Sequence, residues 1–137
     1  MQEKNLIAAA LGARRASYSP YSGYQVGAAL LTPDGKIYTG CNIENAAFTP
    51  TICAERTAVF KAVSEGQRRF IAMAIAGSPK GEVLTQYSWP CGVCRQVLRE
   101  FCDPESFRVI VAKSEEEYEI RTLKELLPEG FGPENLA

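Results

Sequence analysis

The sequence predicts a layered α/β domain around a mixed sheet. Stretches of strand character alternate with stretches of helical character, and the first two strands face each other across a tight turn, so that pair must be antiparallel. The length permits this: 137 residues is one domain's worth, enough to hide roughly two thirds of the unfolded surface. One domain over residues 1–137 is expected, because no linker or repeat interrupts the chain.

The elements follow in order. Residues 3–16 are rich in Ala, Leu and Arg and read as a helix. Ser17 to Gly23 is a turn-rich connector. Tyr24 to Thr32 reads as a strand and Lys36 to Ile43 as its hairpin partner. Between them, Pro33 presets φ and Gly35 supplies a positive φ. A loop over 44–51 leads into a helix from Cys53 to Ser64, stopped by Gly66. Its Ala54, Ala58 and Ala62 form a stripe of small residues that lets either the sheet or another subunit approach closely. Phe70 to Ala76 reads as a strand buried on both faces, residues 77–90 as a polar loop, and Cys91 to Phe101 as a third helix. Arg108 to Lys113 and Tyr118 to Thr122 complete the strands, the last at an edge. A short helix over 122–127 stops at Pro128, before a Gly- and Pro-rich tail.

Composition narrows the function. Hydrophobic residues at 46% and charged residues at 23% exclude a disordered tail and a disulfide-dense miniprotein. Fifteen Lys+Arg against 16 Asp+Glu leave a net charge of -1, which offers no footprint for a nucleic-acid polymer; a small ligand is expected instead. There is no His, so Ser-His-Asp and Cys-His mechanisms are excluded, and acid–base chemistry near neutral pH falls to a carboxylate or a metal-bound water. Five cysteines are an odd set for secreted disulfides, the opening residues lack the basic start of a signal peptide, and no stretch approaches the about 18 apolar residues of a membrane helix. A cytoplasmic protein without membrane contact is expected, its thiols binding metal or reacting.

Two clusters carry the chemistry: Cys53-Ala54-Glu55-Arg56 opens one helix, and Pro90-Cys91-Gly92-Val93-Cys94 opens the next. Adjacent parallel strands would bring both helix starts to one end of the sheet, where three thiolates converge beside Glu55. Three protein ligands plus a water make a catalytic zinc site, whereas a structural zinc normally closes with four. Zinc with three thiolates is net negative, and Arg56 and the two helix N-termini are the available compensation. Glu55 is the acid placed to carry a proton. Positions two apart point to opposite sides of a helix, so Cys53 and Glu55 can share a site only if Cys53 enters at the very first turn.

These residues resemble the zinc-dependent nucleoside and nucleobase deaminases, whose signature pairs Cys-or-His-x-Glu with Pro-Cys-x-x-Cys. Tyr21-Ser22, Val26 to Ala29, Gly40 to Asn45, Cys53 to Ala58, Cys91 to Gln96 and Leu126-Leu127-Pro128 together resemble the small homotetrameric cytidine deaminases, from about residue 5 to 136. The resemblance implies a three-layer α/β/α sandwich with a mixed, about five-stranded sheet, and one zinc per chain held by Cys53, Cys91 and Cys94 plus water or hydroxide. It implies hydrolytic deamination of cytidine and 2′-deoxycytidine in pyrimidine salvage, zinc hydroxide attacking C4 while Glu55 protonates N3 and passes a proton to the departing amine. Arg56 matches the residue that bonds the ligand thiolates, and Asn42 and Glu44 match the ribose-binding pair. Tyr24 and Ala54 fall among the substrate contacts, as does Phe48, where many relatives carry Tyr; Phe131 matches an aromatic that stacks on the base from a neighbouring subunit. The implied assembly is a homotetramer with sites shared between subunits. Trp89 replaces a small polar residue.

Other readings account for less. A dithiol oxidoreductase uses only Cys91 and Cys94. A structural zinc closed by Cys41 or Cys102, in a non-catalytic binding domain, gives no use to Glu55, Asn42 or Glu44. A deaminase of a cytosine-containing antibiotic nucleoside leaves Glu44 without a ribose to read.

Overall fold

The computed structural model describes residues 2–136. Five strands form one mixed sheet: β1 (Tyr24–Leu31), β2 (Ile37–Cys41), β3 (Ala72–Pro79), β4 (Arg108–Ala112) and β5 (Tyr118–Thr122), in the order β2-β1-β3-β4-β5. Only β3 and β4 are parallel; β1 runs antiparallel to both of its neighbours, and β5 antiparallel to β4. Four α-helices accompany the sheet: α1 (Gln2–Ala13), α2 (Ala54–Ser64), α3 (Gly92–Phe101) and α4 (Leu123–Leu126). Among the described residues, no helix is long and apolar enough to cross a membrane.

Strand alternation creates two cores and hence three layers. From β3, Ala72, Ala74 and Ala76 point to one face and join Leu6, Ile7 and Ala10 of α1. Met73 and Ile75 point to the other, with Ala58, Val59 and Ala62 of α2, Leu98 of α3 and Leu123 of α4. Small side chains on the α1 face let that helix lie close, and the larger ones fill the space under α2 and α3.

The hairpin forms as expected, from Leu31↔Ile37 to Gly27↔Cys41, and Gly35 adopts φ 92° in its turn. Strand ends differ. β1 stops at Leu31 rather than Thr32, and β2 spans 37–41 rather than 36–43. The largest shift is in β3, which runs to Pro79 instead of ending at Ala76. Gly77, Ser78 and Pro79 carry turn signals, yet they pair along β1 as far as Tyr24↔Pro79. A long neighbour extends the ladder through residues whose local preference is to leave it. Gly92 rather than Cys91 begins α3, Ala54 rather than Cys53 begins α2, and α1 tightens into a 3-10 turn over Arg14–Ala16. The short last helix is closed by a capping box: Thr122 accepts from the Glu125 amide (3.2 Å), and Glu125 accepts from the Thr122 amide (2.8 Å). A further 3-10 turn, Pro133–Asn135, lies in the tail.

The neighbour of the alanine stripe is the sheet. Ala54, Ala58 and Ala62 are fully buried, and a Cβ on Gly40 of β2 would come within 2.6 Å of the Ala54 carbonyl oxygen. Two backbones therefore touch at Gly40, and this contact sets the height of α2 above the sheet. Gly40→Ala should force them apart and cost about 1–3 kcal/mol, read as a fall in Tm of roughly 5 °C. An unchanged Tm in thermal unfolding would show that α2 can lift without penalty.

Candidate active site

The N-termini of α2 and α3 meet at one end of the sheet, and a cysteine caps each. Cys53 (φ -78°, ψ 155°) and Cys91 (φ -68°, ψ 167°) are extended residues just outside their helices, and neither forms a side-chain cap bond. The capping position normally offers an oxygen to the free amides of the first turn. Here it offers sulfur instead. As an extended N-cap, Cys53 also escapes the helical periodicity that would set it opposite Glu55. Cys94 projects from the first turn of α3 and is almost fully buried.

The three sulfurs fit one tetrahedral ion. Cys53 Sγ lies 3.8 Å from Cys91 Sγ, Cys91 Sγ lies 3.5 Å from Cys94 Sγ, and all lie within 4.8 Å of one another. Two sulfurs each about 2.3 Å from a tetrahedral zinc ion stand about 3.8 Å apart. Cys41 and Cys102 fall outside this group: Cys41 ends β2, and Cys102 is buried in the core, where burial pushes its thiol up. Among the described residues no fourth cysteine closes the cluster.

Charge is balanced locally. Arg56 donates from Nη2 to Cys53 Sγ at 3.4 Å, and its Nε is buried without a partner among the described residues. Hydrogen bonding from Cys94, reinforced by Arg56, lowers the Cys53 thiol to about 5, while Cys94 is raised by that same bond and by burial. Glu55 is 5% exposed, and burial pushes its carboxyl up to about 7. A group with that affinity holds or releases a proton near neutral pH.

Glu55, Cys53 and Cys91 line a cavity of about 370 Å³ whose walls include Tyr24, Asn42, Ala54, Ile75 and Trp89. Tyr24 is held there by a 3.0 Å hydroxyl contact with Ser88. Asn42 faces the cavity but is engaged: Oδ1 accepts from the Val26 amide (2.9 Å) and the Ser17 hydroxyl (2.5 Å), and Nδ2 donates to the Tyr24 carbonyl (2.8 Å). Glu44 lines an adjoining outer cavity of about 380 Å³ with Tyr21, Asn45 and Phe48, and Thr51 lines both. Its carboxylate accepts from the Tyr21 and Ser22 amides (2.9 and 3.1 Å), and the Ser22 hydroxyl holds it below the usual carboxylate range. Phe48 is 72% exposed, has a left-handed backbone (φ 62°) and meets Tyr21 edge-on at 6.3 Å. Phe131 is 55% exposed and lines neither cavity of its own chain.

Sequence reasoning missed the far wall. Trp89 and Tyr87 line the cavity from the segment read as a polar loop. Trp89 also packs against the core and lies 5.4 Å from the Arg121 guanidinium of β5. The signal was two aromatics two apart, just before Pro90-Cys91, in an otherwise polar stretch.

Comparison with known proteins agrees with this geometry. The cytidine and deoxycytidylate deaminase zinc-binding region matches residues 1–111. The chain belongs to this family. It is 48% identical to a cytidine deaminase of Sporosarcina psychrophila over 100% of this chain and 96% of that one, and 45% identical to one of Halalkalibacterium halodurans over 99% and 98%. The crystal structure of cytidine deaminase from Burkholderia pseudomallei superposes with a TM-score of 0.85 at 41% identity, covering 96% of this chain and 100% of that one. The deaminase family is zinc-binding, and the three converging cysteines are positioned to hold one such ion.

The lowered Cys53 thiol has a measurable consequence. In chelator-treated protein, iodoacetamide should label Cys53 at a pH of about 6, where an ordinary thiol is almost inert, and bound zinc should protect it. Peptide mapping that finds Cys53 and Cys102 labelled equally at that pH would contradict the thiolate assignment.

Proposed function

We propose that residues 1–137 act as one enzyme domain that hydrolyses cytidine and 2′-deoxycytidine to uridine and 2′-deoxyuridine, releasing ammonia. The observation that carries the reading is a three-sulfur cluster opening onto a cavity that also holds a buried carboxyl group. Zinc, when bound, supplies a Lewis acid that makes water acidic enough to attack at neutral pH.

The remaining work falls to side chains. Cys53, Cys91 and Cys94 hold the ion, and their combined charge leaves it net negative, which by itself opposes ionisation of water. Arg56 and the two helix N-termini offset that charge. Glu55 would take the proton released as water adds its oxygen to C4 and deliver it to ring N3. It would then take a second proton from the new C4 hydroxyl and pass it to the amino group, which leaves as ammonia while the C4–O bond becomes the uridine carbonyl. Burial suits it to both directions, because a carboxyl group near pH 7 binds and releases protons with little cost. Tyr24, Ala54 and the aromatic wall exclude bulk water around the ring. Asn42 and Glu44 receive the sugar: Asn42 keeps one amide hydrogen free, and Glu44 keeps lone pairs for hydroxyl donors. Phe48 and Phe131 turn outward from their own chain, which suits residues that complete a neighbour's site in a homotetramer. A cytoplasmic enzyme of pyrimidine salvage fits that chemistry.

Zinc-loaded protein should consume cytidine in a spectrophotometric assay. Folded, metal-loaded protein that turns over neither nucleoside would make it a zinc-stabilised binding domain instead. Glu55→Gln should retain one zinc per chain yet lower kcat by roughly 10²–10⁴-fold; near wild-type kcat would remove Glu55 from the proton path. Phe131→Ala should raise KM roughly tenfold with kcat little changed, since stacking on a base is worth about 1–3 kcal/mol. A particle mass other than four chains would refute the tetramer.

A further inference from the structure

The C-terminal tail is tied to α3, which carries Cys94 and is capped by Cys91. Arg99 of α3 is only 9% exposed, and a buried guanidinium is tolerated only when paired. Its partner is Glu134 of the tail: Arg99 Nη1 donates to Oε1 at 3.3 Å, and Nη2 forms a closer contact with Oε2. One turn earlier on the same helix, Gln96 donates from Nε2 to the Phe131 carbonyl at 2.9 Å. Gly132 lies between these anchors. Its backbone (φ -142°, ψ -177°) is open to any residue, so conformation does not require glycine there. The contact is one of packing: a Cβ on Gly132 would meet the Arg99 guanidinium and have to displace it from Glu134. The turn closes on itself through the Gly132 amide, which donates to Asn135 Oδ1 at 2.8 Å.

Phe131 is thus held at its own carbonyl and by the tethered residues that follow it, while its ring stays exposed. An exposed aromatic side chain on an otherwise flexible Gly- and Pro-rich tail would lose orientational entropy on stacking; anchoring removes most of that loss beforehand. We infer that Arg99 and Gln96 are positioning residues for nucleoside binding: they seat the tail so that Phe131 projects in a fixed orientation toward the site of an adjoining copy. This rests on the reading of Phe131 given above. It also makes α3 a rigid link between two sites, its first turn serving its own metal centre and its later turns serving a neighbour's base.

Arg99→Gln should raise KM for cytidine about fivefold with kcat and zinc content unchanged, and Arg99→Lys should recover part of the loss. Glu134→Gln removes the same pair from its exposed end and should give the same KM without opening the core, which keeps the test available if Arg99→Gln folds poorly. The deciding measurement is a double-mutant cycle. In a Phe131→Ala background, Glu134→Gln should add no further rise in KM, whereas a merely structural role would add its full effect. Additive effects would overturn the inference. So would wild-type KM in Glu134→Gln and Arg99→Gln while Phe131→Ala alone raises it. If Phe131→Ala itself leaves KM unchanged, the stacking role fails first and the positioning role falls with it.

Discussion

Three sulfur atoms from two separate helices must arrive within about one ionic coordination sphere, and that requirement constrains most of the architecture. Cys91 and Cys94 come together easily, since one caps α3 and the other lies in its first turn. Cys53 comes from α2, and its distance to the others depends on how closely α2 lies on the sheet. That height is set at Gly40, where only a hydrogen atom separates β2 from the α2 backbone. The crossovers that place α2 before β3 and α3 before β4 then aim both helix starts at the same end. Glycine 40, the alanine stripe and the strand order thus act together on one interatomic distance.

Electrostatics follow from the same meeting point. Two N-caps set sulfur beside the free amides of the first helical turns, and Arg56 adds a full charge against Cys53. Glu55 sits one step inside, where burial opposes its ionisation rather than supporting it. Two acidic groups only two residues apart are therefore driven in opposite directions: the Cys53 thiol toward ionisation, the Glu55 carboxyl toward protonation. That divergence is what a site needs if one group is to bind metal and the other is to carry a proton.

The outer part of the site is built differently. Asn42 spends most of its hydrogen-bonding capacity tying the end of β2 to β1, so its orientation is fixed by the fold. Glu44 is likewise gripped by Tyr21 and Ser22. Polar groups held this way contact a ligand without reorganising, at the expense of donors and acceptors already in use. The aromatic groups beyond them, Phe48 and Phe131, are exposed, and their anchoring comes from strained or tethered backbone rather than from burial.

Much of this was legible in the residues. The hairpin followed from Pro33-Asp34-Gly35, the helix starts from the two cysteine clusters, and the mixed sheet from the alternation of elements, because each signal is local and reports on one element. The cysteine spacing determined which donors could meet, and the absence of histidine left acid–base chemistry to a carboxylate or a metal-bound water. Other properties depended on what lay alongside. Gly77 to Pro79 read as a loop and became strand because β1 offered a long partner. The alanine stripe could have faced a subunit or the sheet, and Gly40 decided for the sheet. Tyr87 and Trp89 gained a role only when the chain folded their segment over the cavity. Composition and period specify which face of an element is apolar; register, contact distance and the neighbours of a loop arise from pairing between distant segments, which tertiary structure alone supplies.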